Sequence, residues 1–244
     1  MLAAPRVAAA ADETAEALAK KLNNPVAGMV SVPLQFNWEF GNGPDEDTHH
    51  VQNFQPVVPF AITDNTNMIA RLIMPSVNTP GSSVAGDMVF SLFFSPARST
   101  RAIWGAGPVL QLPRTGEKWG LGPTAVVLKQ EGPWTYGALA NHIWSFAGDE
   151  DAPDINQTFL QPFLAHTNAN AVTFTIQSES TANWEASSGN EWSIPLNAIV
   201  SKMARLGPFP ASYGGGVGVY LESPAGGPEW KLRTVVTVIL PASK

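Results

Sequence analysis

The chain of 244 residues contains no cysteine, which excludes disulfides, thiolate metal centres and cysteine nucleophiles. Charge is scarce as well: Asp, Glu, Lys and Arg make up 14% of the residues, where about a quarter is usual in soluble domains. No run approaches the roughly 18 consecutive apolar residues that mark a membrane helix. Cations are the minority, 14 against 20 acidic residues for a net charge of −6, so nucleic acid is excluded as a partner. These absences leave one route into a membrane, because a closed barrel of strands also pairs every backbone group internally and needs no long apolar run. What the chain has instead is Gly and Pro, 21 of each, which disfavour a helical bundle. It is also 44% apolar, enough for one sizeable domain.

Residues 1–11 are mostly Ala with one Arg and end in an A-x-A pattern before Asp12. They are expected to be the remnant of a secretory signal, the alternative being an Ala-rich start without regular structure. A short helix is predicted over 12–22, with Asp12 near its start and Lys20 and Lys21 at its end, stopped by Asn23, Asn24 and Pro25. The chain thus divides into 1–11, a helix and linker at 12–25, and a strand-rich domain at 26–244.

From residue 26 the apolar period becomes two. Val30, Val32, Leu34, Phe36, Trp38 and Phe40 share one face, and Ser31, Pro33, Gln35, Asn37 and Glu39 the other. A helix would mix these sets; a strand separates them. The alternation recurs through Met88, Phe90, Leu92 and Phe94, through Phe174 and Ile176, through Leu196, Ala198 and Val200, and through Leu232, Val236, Val238 and Leu240. It blurs at 155–166. About twelve strands are predicted, at 26–40, 49–62, 66–76, 86–96, 101–112, 119–130, 134–147, 155–167, 171–181, 191–204, 211–222 and 229–240. Many reach the nine or so residues that cross a bilayer at a tilt. Connections are short at 64–65, 97–99, 131–133 and 168–170, and longer at 41–48, 77–85, 148–154 and 182–190. That asymmetry belongs to outer-membrane barrels, which turn tightly on the periplasmic side.

Trp38, Trp119, Trp144, Trp192 and Trp230 fall at strand ends beside the long connections, Trp104 and Trp134 toward the short turns, and Trp184 in a loop. The first seven are expected to form the aromatic girdles of a membrane barrel; a soluble sandwich more often places Trp mid-strand, in its core. The expected fold is therefore all-β, a closed antiparallel transmembrane β-barrel of about twelve strands with a short N-terminal helix, in a bacterial outer membrane. A soluble β-sandwich shares the period of two and is the competing fold.

Residues 117–148 read EKWGLGPTAVVLKQEGPWTYGALANHIWSFAG. This stretch resembles a family of bacterial outer-membrane transporters associated with the meta-pathway of phenol degradation, some of whose members carry a neuromedin U label. The resemblance extends to 24–36 (NPVAGMVSVPLQF), 91–96 (SLFFSP), 159–163 (FLQPF), 214–217 and 222–224. It implies an outer-membrane barrel and a channel for small hydrophobic or aromatic compounds, and it carries over no catalytic or binding residues. One departure is the last strand, which runs Ile239, Leu240, Pro241, Ala242, Ser243, Lys244 instead of ending on an aromatic residue.

No catalytic site is expected. His142 and Ser145 invite comparison with barrel phospholipases, which act through a Ser and a His on the outer wall, but residues three apart on a strand face opposite ways. His49 and His50 are adjacent and diverge likewise. The acidic run at 148–154 lacks the spacing and closing Glu of a calcium loop, so neither metal nor cofactor is expected, although the run offers a divalent-ion bridge to lipopolysaccharide. Gly120, Gly122, Gly214, Gly215, Gly216 and Gly218 open no helix and form no phosphate cradle.

By parity the inner wall holds Gln35, Asn37, Glu39, Arg71, Thr124, Asn141, Gln157, Gln161, Gln177, Glu179, Asn197, Tyr220, Glu222, Lys231 and Arg233, the expected pore lining. The expected function is passive diffusion of a small solute through a channel. The alternatives are an envelope barrel closed by pairing of Glu39, Glu179 and Glu222 with Arg71, Lys231 and Arg233, and a soluble β-sandwich binding module. Expected partners are membrane lipid, lipopolysaccharide and the solute, with a homo-oligomer or an envelope partner protein left open. Whether the helix plugs the lumen or lies in the periplasm is also open at this level.

Overall fold

The computed structural model describes residues 13–98, 102–113 and 117–241. The signal-like segment 1–11 and the predicted helix start at Asp12 lie outside the described residues. One helix, α1 (Ala15–Leu22), precedes the strands β1 (Val30–Asn42), β2 (Asp47–Phe54), β3 (Val57–Thr63), β4 (Thr66–Thr79), β5 (Ser82–Ala85), β6 (Met88–Pro96), β7 (Ile103–Leu112), β8 (Lys118–Glu131), β9 (Trp134–Gly148), β10 (Asn156–Thr167), β11 (Val172–Ser178), β12 (Ser180–Asn183), β13 (Trp192–Leu206), β14 (Phe209–Glu222) and β15 (Trp230–Leu240). Neighbours pair in chain order, β15 returns to β1, and all strands join one sheet closed into an antiparallel barrel.

Three crossings are interrupted, so the strand segments make twelve passes. The break between β2 and β3 falls at Gln55 and Pro56, where proline has no N–H for the ladder. There the Gln55 N–H reaches Pro33 O at 2.9 Å, and Pro56 O accepts from the Leu72 N–H at 3.1 Å. The other breaks fall at Gly86 and Asp87 and at Glu179. Each pass lies on one of the predicted strand segments, but the longer connection expected at 77–85 is mostly strand: β4 runs on to Thr79 and pairs with β5 across a turn at Pro80 and Gly81. Tight turns gather at one end of the barrel; β8 and β9, for example, are joined by Gly132 and Pro133, with Gly132 at φ 54°, a conformation glycine adopts without strain. The connections at 43–46, 149–155 and 223–229 lie at the other end, called upper below.

The register fixes the faces. Asn37 pairs with Arg233, Trp38 with Leu232 and Glu39 with Lys231, so each face of the sheet is uniform across strands. Outside, Leu221 is 66% exposed and Val217 54%, whereas inside Arg233 is 3% exposed and Lys231 4%. Apolar residues outward and charges inward invert a soluble core and suit a wall surrounded by lipid.

The lumen is less uniformly polar than the alternation implies. In its short-turn half, Ile69, Phe93, Val126, Leu128 and Leu139 point inward and enclose Val26 from the linker after α1. Gly105 carries no side chain there, and a Cβ would sit 3.1 Å from Val26 Cγ1. A second cluster seats Leu18, Ala19, Ala27 and Met29 against Ala171, Met203 and Ile239. The reason is that the chain's own N-terminal segment occupies this end: an eight-residue helix is marginal alone and is held by burying its apolar side. Thr14 caps it by accepting from the Ala17 N–H at 3.2 Å. Gln130 Nε2 donates to Lys20 O at 2.9 Å, and Asn23 Nδ2 to Thr167 Oγ1 at 3.3 Å. The helix is therefore lodged in the barrel mouth. The blurred stretch at 155–166 has the same cause, since Phe159 and Phe163 pack inward against the Val26 cluster while Leu160 and Leu164 stay exposed.

Candidate functional site

Above this plug the inner wall carries a hydrogen-bonded charge network. The Arg233 guanidinium donates to both carboxylate oxygens of Glu179, at 3.0 and 2.5 Å, and its Nε donates to Asn37 Oδ1 at 2.7 Å. Asn37 in turn donates to Val51 O at 3.3 Å. Gln177 Nε2 donates to Glu179 Oε1 at 3.1 Å, and Gln161 to Gln177 at 3.4 Å. On the adjoining strands Tyr220 donates its hydroxyl to Glu39 Oε1 at 2.8 Å, while the Lys231 ammonium lies 5.0 Å from the centre of the Tyr220 ring. The strand must give way to fit these groups: a Cβ on Gly218 would stand 2.4 Å from Asn197 Oδ1 and 3.1 Å from the Lys231 methylenes. A buried pair with this many partners is satisfied, whereas one missing partner leaves a costly charge.

Arg71 stands beside that network, close enough to feel the Glu179 carboxylate across a shared cavity without bonding to it. Its guanidinium donates to Gln55 Oε1 at 3.0 Å, and among the described residues no carboxylate lies within ion-pair distance of it. Three cavities meet at Arg71. One of 240 Å³ reaches Gln35, Gln161, Gln177, Glu179 and Arg233. A second of 170 Å³ runs along the plug past Leu22, Asn24 and Pro25. A third of 160 Å³ lies toward the upper end, lined by Ile73, Val89, Leu139, Ile143 and Phe159 with Ser91, Gln111, Asn141 and Gln157.

The parity list is thus distributed unevenly. Gln35, Arg71, Asn141, Gln157, Gln161, Gln177, Glu179 and Arg233 line cavities. Asn37, Asn197, Lys231 and Thr124 are buried in the wall, Thr124 donating to Ala140 O at 3.3 Å, and Glu39 and Tyr220 bond to each other. Glu222 is exposed at the upper end of β14, where a register shift places it opposite Ile194, so the three-by-three pairing of Glu39, Glu179 and Glu222 with the cations does not form. Only the Glu179–Arg233 pair does. Sequence reasoning missed Gln55, whose signal was its place before Pro56, and the apolar lining of the third cavity, which parity alone assigns to the inside without saying what it faces.

Outside, Trp104, Trp119, Trp134, Trp144, Trp184 and Trp230 are exposed, and Trp38 and Trp192 partly so. Trp192 meets Trp184 edge-on at 5.7 Å, and Trp230 stacks on Phe40 at 4.1 Å. His142 packs on Trp144 at 4.0 Å, with Nδ1 2.7 Å from Thr158 Oγ1. Ser145 donates instead to Asp154 Oδ1 at 2.8 Å, and Lys118 donates to the same oxygen at 2.9 Å. The Lys118 ammonium, with the Ser145 hydroxyl, holds the Asp154 carboxyl below its ordinary range. His142 and Ser145 therefore have separate partners. His49 pairs opposite Glu39, and the His50 ring faces Trp38. No group of three or more His, Asp or Glu suited to a metal occurs among the described residues.

No known family matches this sequence, and no curated protein does. Solved structures do. An outer membrane channel from Pseudomonas putida F1 superposes with a TM-score of 0.64 at 13% identity, over 87% of this chain and 96% of that one. The NanC porin gives 0.61 at 12%, over 86% of this chain and 100% of that one. The Salmonella typhi outer membrane phospholipase, a dimer with bound calcium, gives 0.52 at 9%, over 93% and 98%. At these identities the likeness is one of fold, and the fold is that of outer-membrane barrels.

Proposed function

We propose that this protein is an outer-membrane channel through which small solutes diffuse passively, and that it is not an enzyme. The observation that carries the reading is the run of cavities meeting at Arg71 inside a wall whose outer face is apolar. A protein serving only to pack an envelope gains nothing from lining its centre with glutamine, asparagine and an arginine bonded to an amide and not to a carboxylate. The apolar share of the lining favours solutes with a hydrophobic or aromatic body. The exposed tryptophans sit at the two lipid interfaces, and the acidic upper loop at 149–154 faces the lipopolysaccharide side. The separate partners of His142 and Ser145 support the non-enzymatic reading.

A second reading, a sealed barrel, is favoured by the Val26 cluster and by α1 in the mouth. Purified protein in liposomes decides between them. A channel lets small uncharged sugars and polyols swell the vesicles and gives discrete current steps in planar bilayers. A barrel that passes no solute and no current is the sealed structure.

A further inference from the structure

One inward cation, Arg71, is placed where a solute would pass and has no carboxylate within ion-pair distance among the described residues. At mid-height the inward ionisable groups of β1, β4, β15 and the β11–β12 break are Glu39, Arg71, Glu179, Lys231 and Arg233. Arg233 is committed to Glu179, and Lys231 lies under Tyr220 and opposite Glu39 in the ladder. Among the described residues Arg71 bonds only to the neutral Gln55, with Glu179 nearby but committed to Arg233, and it is common to all three cavities. A guanidinium offers five donors in a planar fork that matches a carboxylate edge on, and one amide oxygen uses little of that capacity.

The space beside Arg71 limits what the anion can be attached to. The upper cavity has a volume of 160 Å³, and in its lining Ile143 and Phe159 alternate with Asn141 and Gln157 across the β9–β10 pair. An apolar protein cavity of about 150 Å³ accepts one benzene ring. Room for one ring, a lining in which five apolar side chains stand among amides and hydroxyls, and a cation at the cavity edge together define an amphipathic monoanion. Resting on the channel reading, we propose that Arg71 and the upper cavity form a binding site for small carboxylates with an apolar body of about one ring, and that such anions are the preferred solutes.

The test separates the site from the channel. Calorimetry on the detergent-solubilised barrel at neutral pH uses benzoate, benzyl alcohol, benzylamine and acetate as probes. Benzoate is expected to bind about tenfold or more tightly than benzyl alcohol or acetate, the scale of a charge-assisted hydrogen bond, and benzylamine not at all. Arg71→Gln is expected to bring benzoate down to the benzyl alcohol level, and Arg71→Lys to fall between. Val89→Phe, which narrows the ring space from a position paired with Ile73 and not with Arg71, is expected to weaken benzoate and spare acetate; it keeps the proposal testable if the Arg71 variants do not fold. In bilayers under a sodium benzoate gradient, the reversal potential is expected to show benzoate carrying the current. Equal binding of benzoate and benzyl alcohol by the wild type, or benzoate binding unchanged in a folded Arg71→Gln barrel, overturns the site and leaves the channel standing. Tight benzoate binding by a barrel that carries no current upholds the site and overturns the channel.

Discussion

Arg233 and Glu179 are held by two hydrogen bonds to each other and by Asn37 and Gln177 on either side. Removing one partner of such a buried pair costs about 3–5 kcal/mol, because the other charge is left behind without solvent. Arg233→Gln is therefore expected to lower unfolding stability in urea by about that amount, and adding Glu179→Gln to recover much of it. A loss no larger in the single variant than in the double would mean the pair is screened by water. Asp154 presents the opposite case, an exposed carboxyl tied to Lys118 and Ser145. Its folded pKa is depressed, so the tie is complete above the ordinary value of 3.8 and is lost as pH falls through the lower folded value. Hydrogen exchange of the 149–154 amides is expected to accelerate only in that acidic window, and Asp154→Asn to show fast exchange at neutral pH. His142 and Ser145 belong to this scale as well. Strand geometry sent them to opposite faces, and that much could be read from their spacing; which atoms they would bond could not, since Thr158 and Asp154 come from the next strand and loop.

Among the elements, α1 and its linker differ most from what their sequence suggests alone. The apolar side of α1 has two stable destinations, a membrane surface or an apolar recess, and the local sequence does not choose between them. The choice is made by Met203 and Ile239 on β13 and β15 and by Phe93 and Leu139 on β6 and β9, residues dispersed over the chain that closure brings together. Val26→Asp places a carboxylate among Ile69, Phe93 and Leu139, where it has no partner and is costly to bury. It is expected to expel the linker from the mouth while the barrel stays folded. Single-channel conductance should then rise, and limited proteolysis should cut near residues 20–28 without cutting strands. Unchanged conductance with an expelled linker would show that the constriction lies at the charge network above the plug.

The barrel as a whole is stable only where its outer face meets hydrocarbon. Val200, about midway along β13 and 48% exposed, is part of that face. Val200→Arg is expected to cost about 2–4 kcal/mol in folding into lipid vesicles, the penalty of a cation at the bilayer midplane. The adjacent inward change Ser201→Arg is expected to cost less and to alter conductance instead. Similar costs at both positions would argue against lipid on one side and water on the other.

The sequence by itself determined the strands, their number and their faces, because a period of two in ten-residue segments allows little else and each residue's face follows from parity. It also determined that charges such as Arg71, Glu179 and Arg233 would point inward. Tertiary structure alone decided which of them would meet. Pairing depends on the stagger between strands far apart in the chain, and that stagger set Arg233 against Glu179, carried Glu222 to the rim and left Arg71 with Gln55. Closure of the cylinder likewise decided that the lower lumen would be apolar, since only there do Val26 and the inward faces of β4, β6, β8 and β9 come within packing distance.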